Sequence, residues 1–115
     1  MLINPLLRTE AGIRRYVLRN IPIGSSMEYS LDVINYKMWD LRIINENWGV
    51  VLHPTLNFPM RKTPSNRFPV IGEQHIRVHL GGYFFILRAD VTAYFAFDEN
   101  GKLIDVFIRK EWDAL

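Results

Sequence analysis

Val91-Thr92-Ala93-Tyr94-Phe95-Ala96-Phe97-Asp98-Glu99-Asn100-Gly101-Lys102-Leu103-Ile104-Asp105-Val106-Phe107-Ile108-Arg109 decides the fold of this 115-residue chain. Val91, Ala93, Phe95 and Phe97 alternate with Thr92, Tyr94 and Ala96, the period-two pattern of a β-strand. Asp98–Gly101 reads as a hairpin turn, in which Asn100-Gly101 supplies the positive-φ positions. Leu103–Arg109 is then the returning strand, with Trp112 or Leu115 packing the end.

Upstream, Ile76, Val78 and Leu80 alternate with His75, Arg77 and His79, which reads as a half-buried strand. Gly81-Gly82 marks a bulge or turn. Tyr83–Leu87 continues as an apolar strand, and Arg88-Ala89-Asp90 reads as a turn. Leu41–Ile44 and Val50–Leu52 are short strands around an Asn-rich turn that ends at Gly49. Between them and the β-rich C-terminal third, residues 53–74 carry prolines at 54, 59, 64 and 69 and no apolar period. Such a long irregular loop is unusual in a small domain, and loops of this kind are commonly functional.

The N-terminal part reads as helical. Asn4 and Pro5 have the chemistry of a cap and a first helical residue. Leu6, Ile13, Tyr16 and Val17 share one face, giving a helix over about 5–19 that Gly12 weakens. Ser25 and Glu28 match a capping box. Met27, Leu31, Ile34 and Met38 then form one apolar stripe, for a second helix over about 26–39 closed by Trp39. Helices followed by hairpin-linked strands within 41–52 and 75–110 predict a single α+β domain: two N-terminal helices packed on one face of a four- to five-stranded antiparallel sheet.

Composition narrows the functional classes. Hydrophobic residues make up 49% and charged residues 23%, which is globular rather than disordered. There is no cysteine, which excludes disulfides, thiol nucleophiles and thiolate metal sites. The N-terminus lacks the basic start and apolar run of a signal peptide, and no apolar run approaches the roughly 18 residues of a membrane span. A cytoplasmic chain is expected. The net charge is +2, but its distribution is uneven. Residues 1–22 hold four arginines against one glutamate, and residues 53–82 hold Arg61, Lys62, Arg67 and Arg77 against Glu73.

No catalytic constellation emerges. His75 and His79 have metal-pair spacing only on a helix; on a strand they lie about 13 Å apart, too far to share an ion. With Arg77 they form a basic strip suited to an acidic partner or a phosphate. Ser25 and Ser26 lack the glycine-framed elbow of hydrolases, and Asp98 and Glu99 belong to a turn. The glycines match no phosphate-binding fingerprint, and no nucleic-acid-binding module is present. Neither a cofactor nor a metal is expected. Trp48 and Phe58, in turn or loop segments, are candidate interface anchors, because aromatics and arginines dominate binding hot spots. The expected partner-binding set is Trp48, Phe58, Arg61, Lys62, Arg67, His75, Arg77 and His79.

Two stretches carry a resemblance. Ile21-Pro22-x-Gly24-Ser25-Ser26-x-Glu28 opens a helix, and Phe97-Asp98-x-x-Gly101-x-Leu103-x-Asp105, followed by Lys110 and Asp113-Ala114-Leu115, forms a final hairpin. Over roughly residues 10–40 and 75–115 the arrangement is similar to the outer-membrane assembly lipoproteins and the β-lactamase-inhibitor-like fold. It also resembles the small immunity proteins of bacterial contact-dependent and type VI toxins. The lipoprotein's cysteine is absent, and the Pro-rich insert departs from the pattern. The resemblance implies a non-enzymatic immunity protein that neutralises a cognate toxin as a heterodimer. An envelope lipoprotein-type binding module lacking its leader is the alternative, and a homodimer stays open.

Overall fold

The computed structural model describes residues 4–84 and 86–113. Asn4 caps the first element, accepting the Leu6 N–H at 2.9 Å, and Pro5 opens a single 3-10 turn, Pro5–Leu7. The expected first helix is two pieces. Arg8 is extended, Thr9 caps afresh by accepting the Gly12 N–H at 3.1 Å, and α1 runs Glu10–Asn20. Its buried residues Ile13 and Val17, with Ile21 just beyond, face the sheet.

Helix α2 spans Met27–Tyr36. Ser26, rather than Ser25, caps it, accepting the Tyr29 N–H at 3.0 Å. Ser25 is diverted: its carbonyl accepts the Leu103 N–H, its hydroxyl donates to the Pro22 carbonyl, and Ser26 bridges to Lys102. The chain before α2 is thus tied to the C-terminal hairpin. The helix ends in a Schellman arrangement, with the Trp39 N–H on the Ile34 carbonyl at 3.1 Å and the Met38 N–H on that of Asn35 at 3.0 Å. Met38 takes the left-handed position at φ 60°, usually reserved for glycine, at a cost of about 1–2 kcal/mol. This turn throws its side chain outward, 88% exposed, so the apolar stripe ends at Ile34 and the helix stops three residues short of Trp39.

Seven strands follow: β1 Asp40–Asn45, β2 Val50–Leu52, β3 Pro59–Met60, β4 Val70–Ile71, β5 Gln74–Phe84, β6 Arg88–Phe97 and β7 Leu103–Asp113. The main sheet has the order β1-β5-β6-β7, and every pair is antiparallel. The α+β architecture is as expected, with helices and sheet sharing one core, but the connections differ in three places. First, β1 and β2 are not hairpin partners. The Asn45 side chain accepts the N–H groups of Asn47 and Trp48, at 2.8 and 3.1 Å, and this turn leads the chain away from the main sheet. β2 instead centres a second sheet, β3-β2-β4. Second, residues 53–74 are therefore not wholly irregular, since they contain β3 and β4. Third, Arg88–Asp90 is strand and not turn: Ala89 is fully buried and pairs with Tyr83 and Trp112 on either side. The chain bends at Ile86 and Leu87 instead, and Phe85 lies outside the described residues.

The Gly81 bulge is present as a register shift after His79. In the β6–β7 turn only Gly101 has positive φ, at 73°, and Asp98 supports it by accepting the N–H groups of Asn100 and Lys102, both at 2.9 Å. Trp112 packs edge-on against Tyr83, with ring centroids 5.8 Å apart; Leu115 lies outside the described residues.

The result is three layers. Val91, Ala93, Phe95 and Phe97 of β6, with Ile76, Val78, Val106 and Ile108, meet Ile13, Val17, Ile21 and Ile34 on the helical side. On the opposite side, Tyr94 and Ala96 meet Val50 and Leu52 of the small sheet. Gly49 makes that second layer possible. A Cβ there would lie 2.1 Å from the Ile71 carbonyl oxygen, closer than any atom tolerates. Gly49→Ala is expected to destabilise the protein by about 3 kcal/mol or more in urea unfolding; a loss below about 1 kcal/mol would show that β4 does not close on Gly49.

Candidate functional site

The small sheet covers only part of the face away from the helices. Strand alternation places Arg77 and His79 of β5, Arg88, Asp90 and Thr92 of β6, and Glu111 of β7 on that face. Arg42, at the β1 bulge, and Arg61, just after β3, complete the rim of an open hollow of about 460 Å³. Four guanidinium groups thus surround two carboxylates.

The pairing is uneven. Asp90 pairs with His79 at 3.2 Å and with Arg88 at 3.4 Å. Glu111 pairs with Arg61 at 3.2 Å and with Arg109 at 3.7 Å. Arg42 pairs with Asp40 at 2.8 Å. Arg77 has no ion-pair partner among the described residues. The exposed Arg42–Asp40 pair contributes at most about 1 kcal/mol, so it yields readily to a better acceptor.

A second hollow, of about 170 Å³, adjoins the first and shares Arg61 and Arg77 with it. Its wall is more apolar, with Ile43, Trp48, Val51 and Met60. Arg61, Arg77 and Trp48, from distant parts of the sequence, therefore line one place. Arg61 is exposed there, whereas Trp48 and Arg77 are half-buried. Lys62 lines the second hollow as well, and His79 the first.

His75 also lines the second hollow, but not as part of an open basic strip: it is buried under the Trp48 segment, its Nδ1 2.8 Å from the Trp48 carbonyl oxygen. Burial pushes its pKa down; the bond to Trp48 opposes the shift and the Arg77 charge adds to it. The other two expected residues border neither hollow. Phe58 stands on the far side of Arg61, stacked on His53 at 5.0 Å and under the Arg109 guanidinium at 4.6 Å. Arg67 is exposed in the insert and borders neither hollow. Sequence reading missed Arg42, Arg88, Asp90, Thr92 and Glu111. The β5 alternation would have found the β6 residues had Arg88–Asp90 been read as strand.

Among the described residues, no three His, Asp or Glu side chains converge as metal ligands would. One buried polar group is unspent. The Tyr94 hydroxyl lies under Arg61 and raises its pKa, against the cost of burial and with help from Glu111. The geometry nevertheless falls short of a hydrogen bond, leaving the Tyr94 oxygen without a partner. The contact is therefore a dipole facing a cation, which offsets less of the hydroxyl's desolvation than a hydrogen bond does.

Comparison with protein-family models, curated proteins and solved structures gives no match. The unpartnered hydroxyl yields a direct check. Tyr94→Phe is expected to stabilise the fold by about 1 kcal/mol, because it removes a desolvated group without breaking a bond. A loss of about 1 kcal/mol or more in urea unfolding would mean that Tyr94 and Arg61 are hydrogen-bonded in solution.

Proposed function

We propose that this chain is an immunity protein that neutralises a cognate bacterial toxin in a one-to-one complex, without catalysis, by binding it through the sheet face away from the helices. One observation carries the reading: four arginines, one of them lacking a carboxylate partner among the described residues, gather at a single hollow in a chain whose net charge is only +2. So concentrated a charge is suited to recognition. Guanidinium groups pair with carboxylates in a planar, two-point geometry, which fixes orientation as well as attraction. Opposite charge on the partner also speeds encounter. The toxin therefore offers an acidic surface, and neutralisation follows from occlusion.

The test is to look for a toxin domain encoded beside this chain and to co-express the two. The wild-type chain is expected to restore growth and to co-purify with the toxin. Arg77→Glu is expected to weaken the complex about 100-fold, since it plants a like charge in the contact. Arg15→Glu, on the exposed side of α1, is expected to bind as the wild type does. Failure of the wild-type chain to protect would overturn the proposal, as would protection that survives both Arg77→Glu and Arg61→Glu.

A further inference from the structure

The two adjoining hollows differ in chemistry, and that difference says more about the partner than charge alone. The larger is lined by Arg42, Arg61, Arg77 and Arg88. The smaller offers the Trp48 ring and the Ile43, Val51 and Met60 side chains. Arg61 and Arg77 form the wall between them. Both are depressions, so they receive a projecting group more readily than they plug a cleft.

We infer that this surface receives a projecting peptide segment of the partner, one in which two neighbouring carboxylates stand close to an apolar side chain. The inference rests on the immunity reading for the identity of the partner, but the docking chemistry stands on the two hollows. The carboxylates enter the larger hollow. One pairs with Arg77, which has no competing carboxylate among the described residues. The other pairs with Arg42, whose present partner Asp40 stands outside the hollow. The apolar side chain enters the smaller hollow beside Trp48.

A compact phosphate fits less well. Asp90 and Glu111 also line the larger hollow, Asp90 held by His79 and Arg88 and Glu111 by Arg61 and Arg109. A dianion concentrated at one point meets those carboxylates at close range. Two separated single charges avoid them by each taking one arginine. A phosphate also leaves the apolar hollow unused, although the two share a wall.

The probe is a capped peptide, Gly-Asp-Glu-Gly-Leu-Gly-Ser, titrated into the full chain and followed by two-dimensional NMR. Shifts are expected to concentrate at Arg42, Trp48, Arg77 and their neighbours. Replacing Asp-Glu by Asn-Gln is expected to weaken binding about tenfold, and replacing Leu by Ser about threefold. Arg77→Ala is expected to weaken it about fivefold and to abolish the salt dependence in part, while Arg19→Ala changes neither. The inference is overturned if the peptide shifts nothing at millimolar concentration. It is also overturned if the Leu replacement is silent, or if inorganic phosphate binds the same residues as tightly as the peptide. Its failure is separable from that of the immunity reading. A chain that protects against the toxin but ignores the peptide refutes only the docking chemistry; one that binds the peptide but gives no protection refutes only the function.

Discussion

Burial of strand β6 on both faces is the constraint on which the rest of the structure depends. Ala93, Phe95 and Phe97 lie against the helical layer, while Tyr94 and Ala96 lie against the small sheet, and all five are almost fully buried. A strand buried on both sides needs a second cover, and among the described residues the insert between β1 and β5 supplies it. That requirement explains why β2 leaves the main sheet, why Gly49 must lack a side chain, and why a Pro-rich segment without apolar period still adds Ile71 to the layer of Val50 and Leu52.

The same constraint makes the site. The insert seats over Tyr94 and Ala96 and leaves the rest of the face uncovered. Beyond it, the polar residues of β5, β6 and β7 remain open, and the middle of the insert, just after β3, adds Arg61 to their rim. The hollow is therefore the uncovered remainder of a sheet face, bounded on one side by its own lid. Arg61 belongs to both parts: it follows β3 on the lid, pairs with Glu111 of β7, and lies over the buried Tyr94 hydroxyl. On the helical side, Arg14 does comparable work at the sheet edge, where it bonds Asp105 at 2.7 Å and the Val106 carbonyl at 3.0 Å.

How much of this was legible follows from the range of each interaction. The α+β class, the two helices, the Asp98–Gly101 turn and the Gly81 bulge rest on local periodicity and turn chemistry, and they were readable. Pairing partners were not. Nothing in Leu41–Ile44 or Val50–Leu52 says that one joins β5 and the other forms a separate sheet, because that choice is made by burial against Tyr94, far along the chain. Ser25 and Ser26 are chemically equal as caps, and only the tie to Leu103 separates them. The site was half readable for the same reason. Arg61, Arg77 and His79 stood out as charge on a strand or in a loop, while Arg88 and Asp90 were concealed by their resemblance to a turn. His75 was misjudged because its cover comes from the neighbouring Trp48 segment rather than from its own strand.

Native-state amide hydrogen exchange tests the two-sided burial most directly. The Leu52 N–H bonds the Pro69 carbonyl at 2.8 Å inside the small sheet, and the β6 amides Ala93 and Phe95 lie in ladders on both sides. If the insert is seated on β6, Ala93 and Phe95 exchange only through global unfolding and Leu52 exchanges slowly, through a substantial opening of the lid. Exchange of Leu52 at the rate of an unstructured peptide would contradict this, and would mean that the face from which both hollows are built is not covered in solution.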